Sequence, residues 1–339
     1  MLRAVVDQFV ERSLHPTADI RQFEKLALGL IDIIDSETVA RVALPLCFHP
    51  ETPPSIFGRL FDKGGAAAAL AFQFAPDLRQ DMAAAAEHET AQFAAAIARR
   101  RDLDRETMLA LASRSEREVL RALAGNLSAH FDAASRRALI MAARDDLTLA
   151  RMLLDRDDLD LDPEPLFLAA TRLERTAIVL NACRQILAAG VTEAPLRAAP
   201  DFVAKLEAAA QRHDRGALPA LLAEALDCRK DRARALVADH LGEAFALALN
   251  AIGVPLESAA RILGADKSIG HDAEVVRALI GLMRSTPQRA AARIVGAITG
   301  AARPERETSR RPVREEPAGI RRRAKQSQAP PTRKVDQSA

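Results

Sequence analysis

Apolar residues at three- and four-residue spacing limit the folds open to this chain more than any other feature. They run from about Thr17 to Ala301, and Gly, Pro or Asp/Ser clusters interrupt them roughly every dozen residues. This spacing places apolar side chains along one face of an α-helix, whereas a half-buried strand shows strict alternation. The pattern therefore predicts a succession of short helices.

The amino-acid composition favours the same fold. Ala and Leu dominate the apolar residues, and the chain contains 12 Phe but no Trp and no Tyr. Ala and Leu are strong helix formers, whereas strands are enriched in β-branched and aromatic residues. We therefore expect an all-α fold.

One apolar pattern recurs along the chain at a nearly constant period. Met108–Ala112, Leu139–Ala143 and Leu166–Ala170 match one another at intervals of 31 and 27 residues, and a second, shorter helical segment follows each of them. Such periods are typical of stacked helix pairs. Because one short pair cannot bury its apolar face alone, the sequence predicts an α-solenoid of short antiparallel helix pairs, the HEAT-like repeats.

Residues that begin and end helices lie where this repeat needs them. Ser115 with Glu118 and Thr171 with Glu174 have the capping-box spacing at the start of a second helix. Asp162-Pro163 is expected to start a first helix. Gly190 is expected to end one.

The chain is expected to have three parts. Residues 1–190 form the helical repeat array, and residues 201–302 form a C-terminal helical part that continues the array or packs on it. Residues 303–339 hold 11 Lys and Arg against 5 Asp and Glu, while the rest of the chain holds 37 against 41. This last segment is rich in proline and charge and poor in large apolar residues, so we expect a disordered basic tail.

Cysteine usage and hydropathy predict a cytoplasmic protein. Cys47, Cys183 and Cys228 are far apart within apolar helical stretches, as is usual for buried thiols in a reducing compartment. Charge interrupts the N-terminus before a signal-peptide core forms, and no run approaches the roughly 20 apolar residues of a membrane span. We therefore expect no transmembrane segment.

Motifs that would carry metal or phosphate chemistry are incomplete. Asp158, Asp160 and Asp162 have the spacing of a calcium loop, but Pro163 stands where that loop needs Gly and Ala169 where it needs Glu. Lys63-Gly64-Gly65 and the segment 264–268 lack the order of a phosphate-binding loop and no predicted strand precedes them. We interpret the acidic run as a solvated loop with a helix cap, and the glycines as helix-ending turns.

No catalytic pattern is visible either. The seven histidines show no His-x-x-x-His spacing, the cysteines show no Cys-x-x-Cys spacing, and no Ser or Cys lies in a nucleophile elbow. The sequence therefore predicts no catalytic residue, no cofactor and no metal site. A non-enzyme is favoured.

A basic cluster in the tail is the one candidate docking site that the sequence shows. It consists of Arg321, Arg322, Arg323 and Lys325. Such a cluster attracts an anionic partner, which is a nucleic acid, a lipid headgroup or an acidic protein surface. A solubilising linker is the other interpretation, because Glu315 and Glu316 dilute the charge.

Four segments resemble the bacterial domain of unknown function 2336. They are residues 35–43, the Thr52-Pro53-Pro54 turn, residues 166–175 and the Ile252–Pro255 stretch. The resemblance extends over most of residues 18–302. It implies HEAT-like helical repeats in a bacterial cytoplasmic protein, and it implies no assigned activity, cofactor or site residue.

Three functional hypotheses follow. The first is a non-catalytic scaffold or adaptor that binds a protein or peptide on the repeat surface. The second is association with nucleic acid or an anionic membrane through the basic tail. The third is an enzyme whose site is assembled only by the fold.

Overall fold

The computed structural model describes residues 1–76, 82–190, 195–214, 216–265 and 272–301. Within these ranges the chain forms 19 α-helices and one six-residue 3-10 helix, without a strand. The all-α prediction is therefore confirmed. The first eleven α-helices are α1 Leu2–Val10, α2 Thr17–Ile33, α3 Ser36–Phe48, α4 Pro54–Lys63, α5 Gly65–Phe74, α6 Met82–His88, α7 Ala91–Ala98, α8 Arg105–Ala112, α9 Arg117–Ala124, α10 Ala133–Ala143 and α11 Leu147–Leu154.

The 3-10 helix Glu164–Ala169 separates these from the remaining helices. Those are α12 Arg172–Ala188, α13 Pro200–Gln211, α14 Ala217–Leu226, α15 Lys230–Val237, α16 Glu243–Ala251, α17 Leu256–Ala265, α18 Ala273–Ser285 and α19 Gln288–Thr299. Met1–Ala301 form one compact unit.

Aspartate caps start several of the helices in the first half. The carboxylates of Asp35, Asp104 and Asp132 each accept a hydrogen bond from the backbone amide three residues later, at 2.9, 2.7 and 2.8 Å. A side-chain oxygen at this position satisfies an amide that has no partner within the helix. These caps fix where α3, α8 and α10 begin.

The two predicted capping boxes have different outcomes. The box of Thr171 and Glu174 is formed at the start of α12, with hydrogen bonds in both directions. The box of Ser115 and Glu118 is not formed, because α9 begins at Arg117 behind Glu116. The Glu116 carboxylate instead accepts hydrogen bonds from Arg114 at 2.6 Å and from the amide of Ser115 at 3.1 Å.

The segment after Pro163, which the sequence predicts to be the first helix of the third pair, forms only a 3-10 helix. Its segment begins behind Pro163 and ends where Thr171 already caps α12, so six residues remain. That length is too short for a stable α-helix, and Pro165 removes one further amide donor. Asp162 does cap this turn, by accepting a hydrogen bond from the amide of Glu164 at 3.1 Å. Gly190 follows the end of α12 with φ of 63°, as predicted for a helix-ending glycine.

Helices of the first half lie in two layers. The odd-numbered helices from α1 to α11 contact one another in chain order, and the 3-10 helix follows α11. In the other layer α2 contacts α4, and α8 contacts both α6 and α10. Each helix also packs against its neighbour along the chain in the opposite layer. Alternate helices are thus adjacent, which brings their carboxyl ends to one edge.

Polar side chains tie these carboxyl ends together. Behind α7, the Nη1 atom of Arg100 donates to the carbonyl oxygens of Phe72 and Ala75 at the end of α5, at 3.0 and 2.9 Å. The Nε and Nη2 atoms of Arg100 donate to the carboxylate of Asp102, both at 2.9 Å. The last carbonyls of a helix have no partner within it, so a buried guanidinium both satisfies them and compensates their negative dipole.

The same device recurs in the next two helices of this layer. Asn126, behind α9, donates to the carbonyl oxygens of Ala98 and Arg100, and Arg156, behind α11, donates to that of Asn126 at 2.9 Å. Arg156 also pairs with Asp158, as Arg100 pairs with Asp102. We call Arg100, Asn126 and Arg156 the carbonyl ladder. Its links join residues 26 and 30 positions apart, close to the period seen in the sequence.

The C-terminal helices pack on the end of this arrangement. Helix α19 contacts the 3-10 helix, α12, α15 and α16. Phe167, Ile178 and Ala182 belong to the same apolar core as residues of α13 to α19. The Glu164 carboxylate accepts from Arg293 of α19 at 2.7 Å. The division between residues 190 and 201 stays a prediction, and the tail, residues 303–339, lies outside the described residues.

Candidate interaction cleft

An open cleft lies at the edge where α3, α5 and α7 end. Because these three helices are neighbours in one layer, their last residues meet there. The cleft has a volume of about 830 Å³, within the range of sites that hold small ligands or peptide side chains. It is lined by Phe48, Gln73, Phe74, Pro76, Arg99, Arg100, Arg101 and Asp102.

Two phenylalanines form the apolar wall of the cleft. Phe48 is the last residue of α3 and Phe74 is the last residue of α5. Their ring centroids are 5.4 Å apart with the planes tilted by 51°, an ordinary geometry for an aromatic pair. Phe48 nevertheless remains 66% exposed. The Phe48 ring is therefore open to contact with a partner.

Arginines form the opposite, charged wall. Arg100 is buried, and its charge is compensated by the salt bridge with Asp102. Arg99 and Arg101 on either side of it are exposed, and Arg99 donates to the carbonyl oxygen of Ala95 at 3.0 Å. Among the described lining residues, the rim of the cleft therefore carries net positive charge. Such a surface suits a ligand that presents an apolar group beside an anionic group.

A cysteine beneath the cleft is chemically quiet. Cys47 precedes Phe48 and is buried, and burial raises the pKa of its thiol to about 12. The thiolate is the nucleophilic form, and a thiol with so high a pKa is almost entirely protonated near neutral pH. The cleft therefore offers recognition groups rather than an activated cysteine.

The acidic run of the sequence is used within the fold. The Asp158 carboxylate pairs with Arg156, and the carbonyl oxygen of Asp160 accepts from Arg136 at 3.0 Å. Together with the Asp162 cap, these contacts agree with the predicted interhelical loop. Lys63 ends α4, and Gly64 and Gly65 form the turn into α5, both with positive φ. The segment 264–268 lies partly outside the described residues, but Gly264 itself lies inside α17 rather than after it.

Two histidines that are far apart in sequence come together near the N-terminus. The ring centroids of His15 and His49 are 5.5 Å apart, and His15 Nδ1 lies 2.9 Å from a carboxylate oxygen of Glu51. His15 also stacks on Phe9 at 4.4 Å. This cluster joins the loop after α1 to the loop after α3. Among the described residues, no group of three or more His, Cys, Asp or Glu has the arrangement of a metal site.

The predicted docking residues Arg321, Arg322, Arg323 and Lys325 lie outside the described residues. In the part of the chain that the structure describes, no helix is both long and apolar enough to cross a membrane.

A second depression, of about 520 Å³, lies between α13 and α14 and is lined largely by alanines. It is more open than the cleft and has no aromatic wall.

The sequence does not mark Phe48 and Phe74 as a pair. Their signal is weak, because each is one more apolar residue in an apolar stretch. A stronger signal is the Arg-x-Asp spacing that Arg100 shares with Arg156, since it marks the helix ends that the ladder joins. Compared with known protein families, curated proteins and solved structures, the chain has no match.

Proposed function

We propose that this protein is a non-catalytic scaffold that binds a polypeptide segment in the cleft at the ends of α3, α5 and α7. One observation carries the proposal: exposed Phe48 faces Phe74 at 5.4 Å beside exposed Arg99 and Arg101. The partner segment carries an apolar side chain next to one or two carboxylates. The apolar side chain packs on the two rings and the carboxylates pair with the arginines.

The helical architecture supports this proposal. Two layers of helices linked by the carbonyl ladder are what a solenoid of HEAT-like repeats needs. In such folds each unit contacts only its neighbours, which leaves long surfaces for binding. The resemblance to the bacterial domain of unknown function 2336 is in keeping with this architecture, and we propose that the chain is a cytoplasmic member of that family.

Pre-organisation of the cleft favours binding. Arg100 holds the loop of Arg99 and Arg101 against the end of α5, so the backbone of the charged wall is fixed before a partner arrives. Pre-organised groups lose less conformational freedom on binding. Cys47 beside the cleft is not an activated nucleophile, because burial raises the pKa of its thiol to about 12 and keeps it protonated near neutral pH.

Selection of short random peptides displayed on phage against the full chain tests the proposal. We expect the selected peptides to share an apolar residue flanked by Asp or Glu. Their affinity should fall about tenfold or more for Phe48→Ser and for Arg101→Glu. Leu127→Ser is the matched control, because Leu127 is 75% exposed but does not line the cleft. Peptides whose affinity is unchanged by both cleft variants would contradict the proposal, as would failure to select any shared sequence.

A further inference from the structure

Helix α12 exposes a row of leucines on the face opposite the core. Leu173, Leu180 and Leu187 are 81%, 50% and 73% exposed. Their spacing of seven residues is close to two helical turns, so the three side chains form one line along the helix. We call Leu173, Leu180 and Leu187 the leucine row.

The opposite face of the same helix is already buried. Ile178, Val179 and Ala182 pack into the C-terminal core. Helix α12 is therefore apolar on two faces, although only one of them has a partner among the described residues. No other described helix carries three exposed Leu, Ile, Met or Phe side chains. Isolated exposed leucines are ordinary, but three leucines in line at seven-residue spacing on one helix are typical of a helix–helix interface.

We propose that a second copy of this chain packs its own α12 antiparallel against the leucine row. The row is equally spaced about Leu180, so a twofold axis at that residue brings Leu180 against Leu180 of the other copy. The same axis places Leu173 of each copy against Leu187 of the other. A surface that matches itself under twofold rotation is what a symmetric dimer requires.

The charges of α12 select the antiparallel orientation. Arg172 lies in the first turn, near the positive end of the helix dipole, and the last turn of α12 carries no basic residue. In the antiparallel pair, Arg172 of one copy lies opposite residue 188 of the other, beside the carbonyl groups that end that helix. A parallel pair would instead place Arg172 against Arg172 and Arg184 against Arg184. At both ends of the antiparallel pair, an Arg172 side chain thus lies beside the negative end of the other copy's helix dipole.

The tail of the same chain is a poor occupant of the row. Its only larger apolar residues are Val313, Ile320 and Val335 among many charges. Three leucines in line need an apolar partner with the same spacing, and α12 of a second copy has it.

The size of the contact sets the strength of the dimer. A helix of this length spans roughly 25 Å, and one helix pair of that length buries less surface than the 1,200 Å² or so of a standard interface. We therefore expect reversible association with a dissociation constant of about 1 to 100 μM. The dimer carries two copies of each binding surface, but the inference does not rest on the cleft.

Sedimentation equilibrium of the full chain over a range of concentrations tests this proposal. We expect a monomer–dimer equilibrium that Leu180→Asp weakens about 100-fold, because two carboxylates then meet at the axis. Leu127→Asp makes the same change at a leucine that is 75% exposed and lies outside α12, and it should leave the equilibrium unchanged. Both variants should keep the thermal midpoint of the parent. A chain that stays monomeric throughout, or a dimer insensitive to Leu180→Asp, would overturn the proposal.

Disulfide trapping tests the orientation separately. Cys183 and Cys228 are replaced by Ser, and Leu173→Cys protein is mixed with Leu187→Cys protein under mild oxidation by copper phenanthroline. The antiparallel pair predicts mixed dimers that join residue 173 to residue 187. Dimers that join residue 173 to residue 173 would overturn the antiparallel arrangement. Leu180→Cys protein should couple to itself, because the axis places the two thiols side by side.

Discussion

Arg175 and Asp239 form a double salt bridge, with Nη1 and Nη2 donating to the two carboxylate oxygens at 2.8 and 2.9 Å, although they are 64 residues apart. Each side chain is only 1% exposed. Arg175 also donates to the carbonyl oxygens of Ala170 and Leu168, both at 3.0 Å. The pair therefore joins α12 to the loop before α16 through groups that have no access to water.

Breaking this pair should destabilise the chain strongly. We expect Asp239→Leu and Arg175→Met each to lower the free energy of unfolding by about 3 to 5 kcal/mol, because each leaves a buried charge without its main partner. Arg175 is then left with the Glu243 carboxylate, and Asp239 with the amide of Ala244. The double variant Arg175→Met with Asp239→Leu should be less damaging than the sum, since it removes both charges together. Urea unfolding of the four proteins gives the comparison. Additive losses would show that the two groups do not act as a pair.

Removing one link of the carbonyl ladder should lower the free energy of unfolding by less than breaking the Arg175–Asp239 pair does. Asn126→Ala deprives the carbonyl oxygens of Ala98 and Arg100 of their side-chain donor. We expect a loss of about 1 to 3 kcal/mol in unfolding free energy. Asn181→Ala, on the exposed face of α12, is the control and should be neutral or slightly stabilising because alanine is the better helix former. Equal effects of the two changes would contradict a role for the ladder.

Two glycine substitutions should have opposite effects on the stability of the chain. Gly253 has φ of 81°, and a Cβ atom there would clash with the carbonyl oxygen of Leu196. We therefore expect Gly253→Ala to destabilise the chain by more than about 2 kcal/mol, through both backbone strain and this clash. Gly281 lies inside α18 with open space around its Cα, so Gly281→Ala should stabilise by about 0.5 to 1 kcal/mol. Thermal unfolding distinguishes the two; a stable Gly253→Ala protein would contradict the close approach of residue 196.

Acid should weaken the junction between α11 and α12. The hydrogen bond from Arg151 is the main reason that the pKa of Glu174 is lowered from its ordinary value of 4.5 to about 2. Between these values the unfolded chain binds more protons than the folded chain, so this contribution to stability is present above about pH 4.5 and is lost as the pH falls toward about 2. Glu174→Gln should remove the contribution at neutral pH and flatten the acid dependence. Unfolding free energies measured from neutral to acidic pH, with Glu37→Gln on α3 as control, test this; parallel pH profiles for parent and Glu174→Gln would contradict it.

Local sequence patterns are enough to predict that the chain is helical. Apolar spacing predicts helices because it depends only on how side chains project from one helix, and the Thr171 box forms because both partners lie within four residues. Where local signals competed, the sequence misled. Ser115 does not cap α9, because that helix begins behind Glu116, whose carboxylate pairs with Arg114. The segment 164–169 forms a six-residue 3-10 helix where its apolar pattern predicts an α-helix.

The candidate surfaces could not be predicted in this way. Phe48 and Phe74 lie in different helices, and only the packing of α3 beside α5 brings their rings together. The leucine row was hidden for a different reason: every third or fourth residue of α12 is apolar, and the sequence alone does not say which of its two apolar faces the core covers.

The sequence by itself thus predicted a series of short helices, because apolar spacing and capping residues act between positions within about four residues of one another. Only the tertiary structure decided which apolar residues stay exposed, and which of the buried arginines meet helix ends or carboxylates. Those outcomes depend on contacts between residues tens of positions apart, such as Arg175 with Asp239. No local pattern encodes such distances.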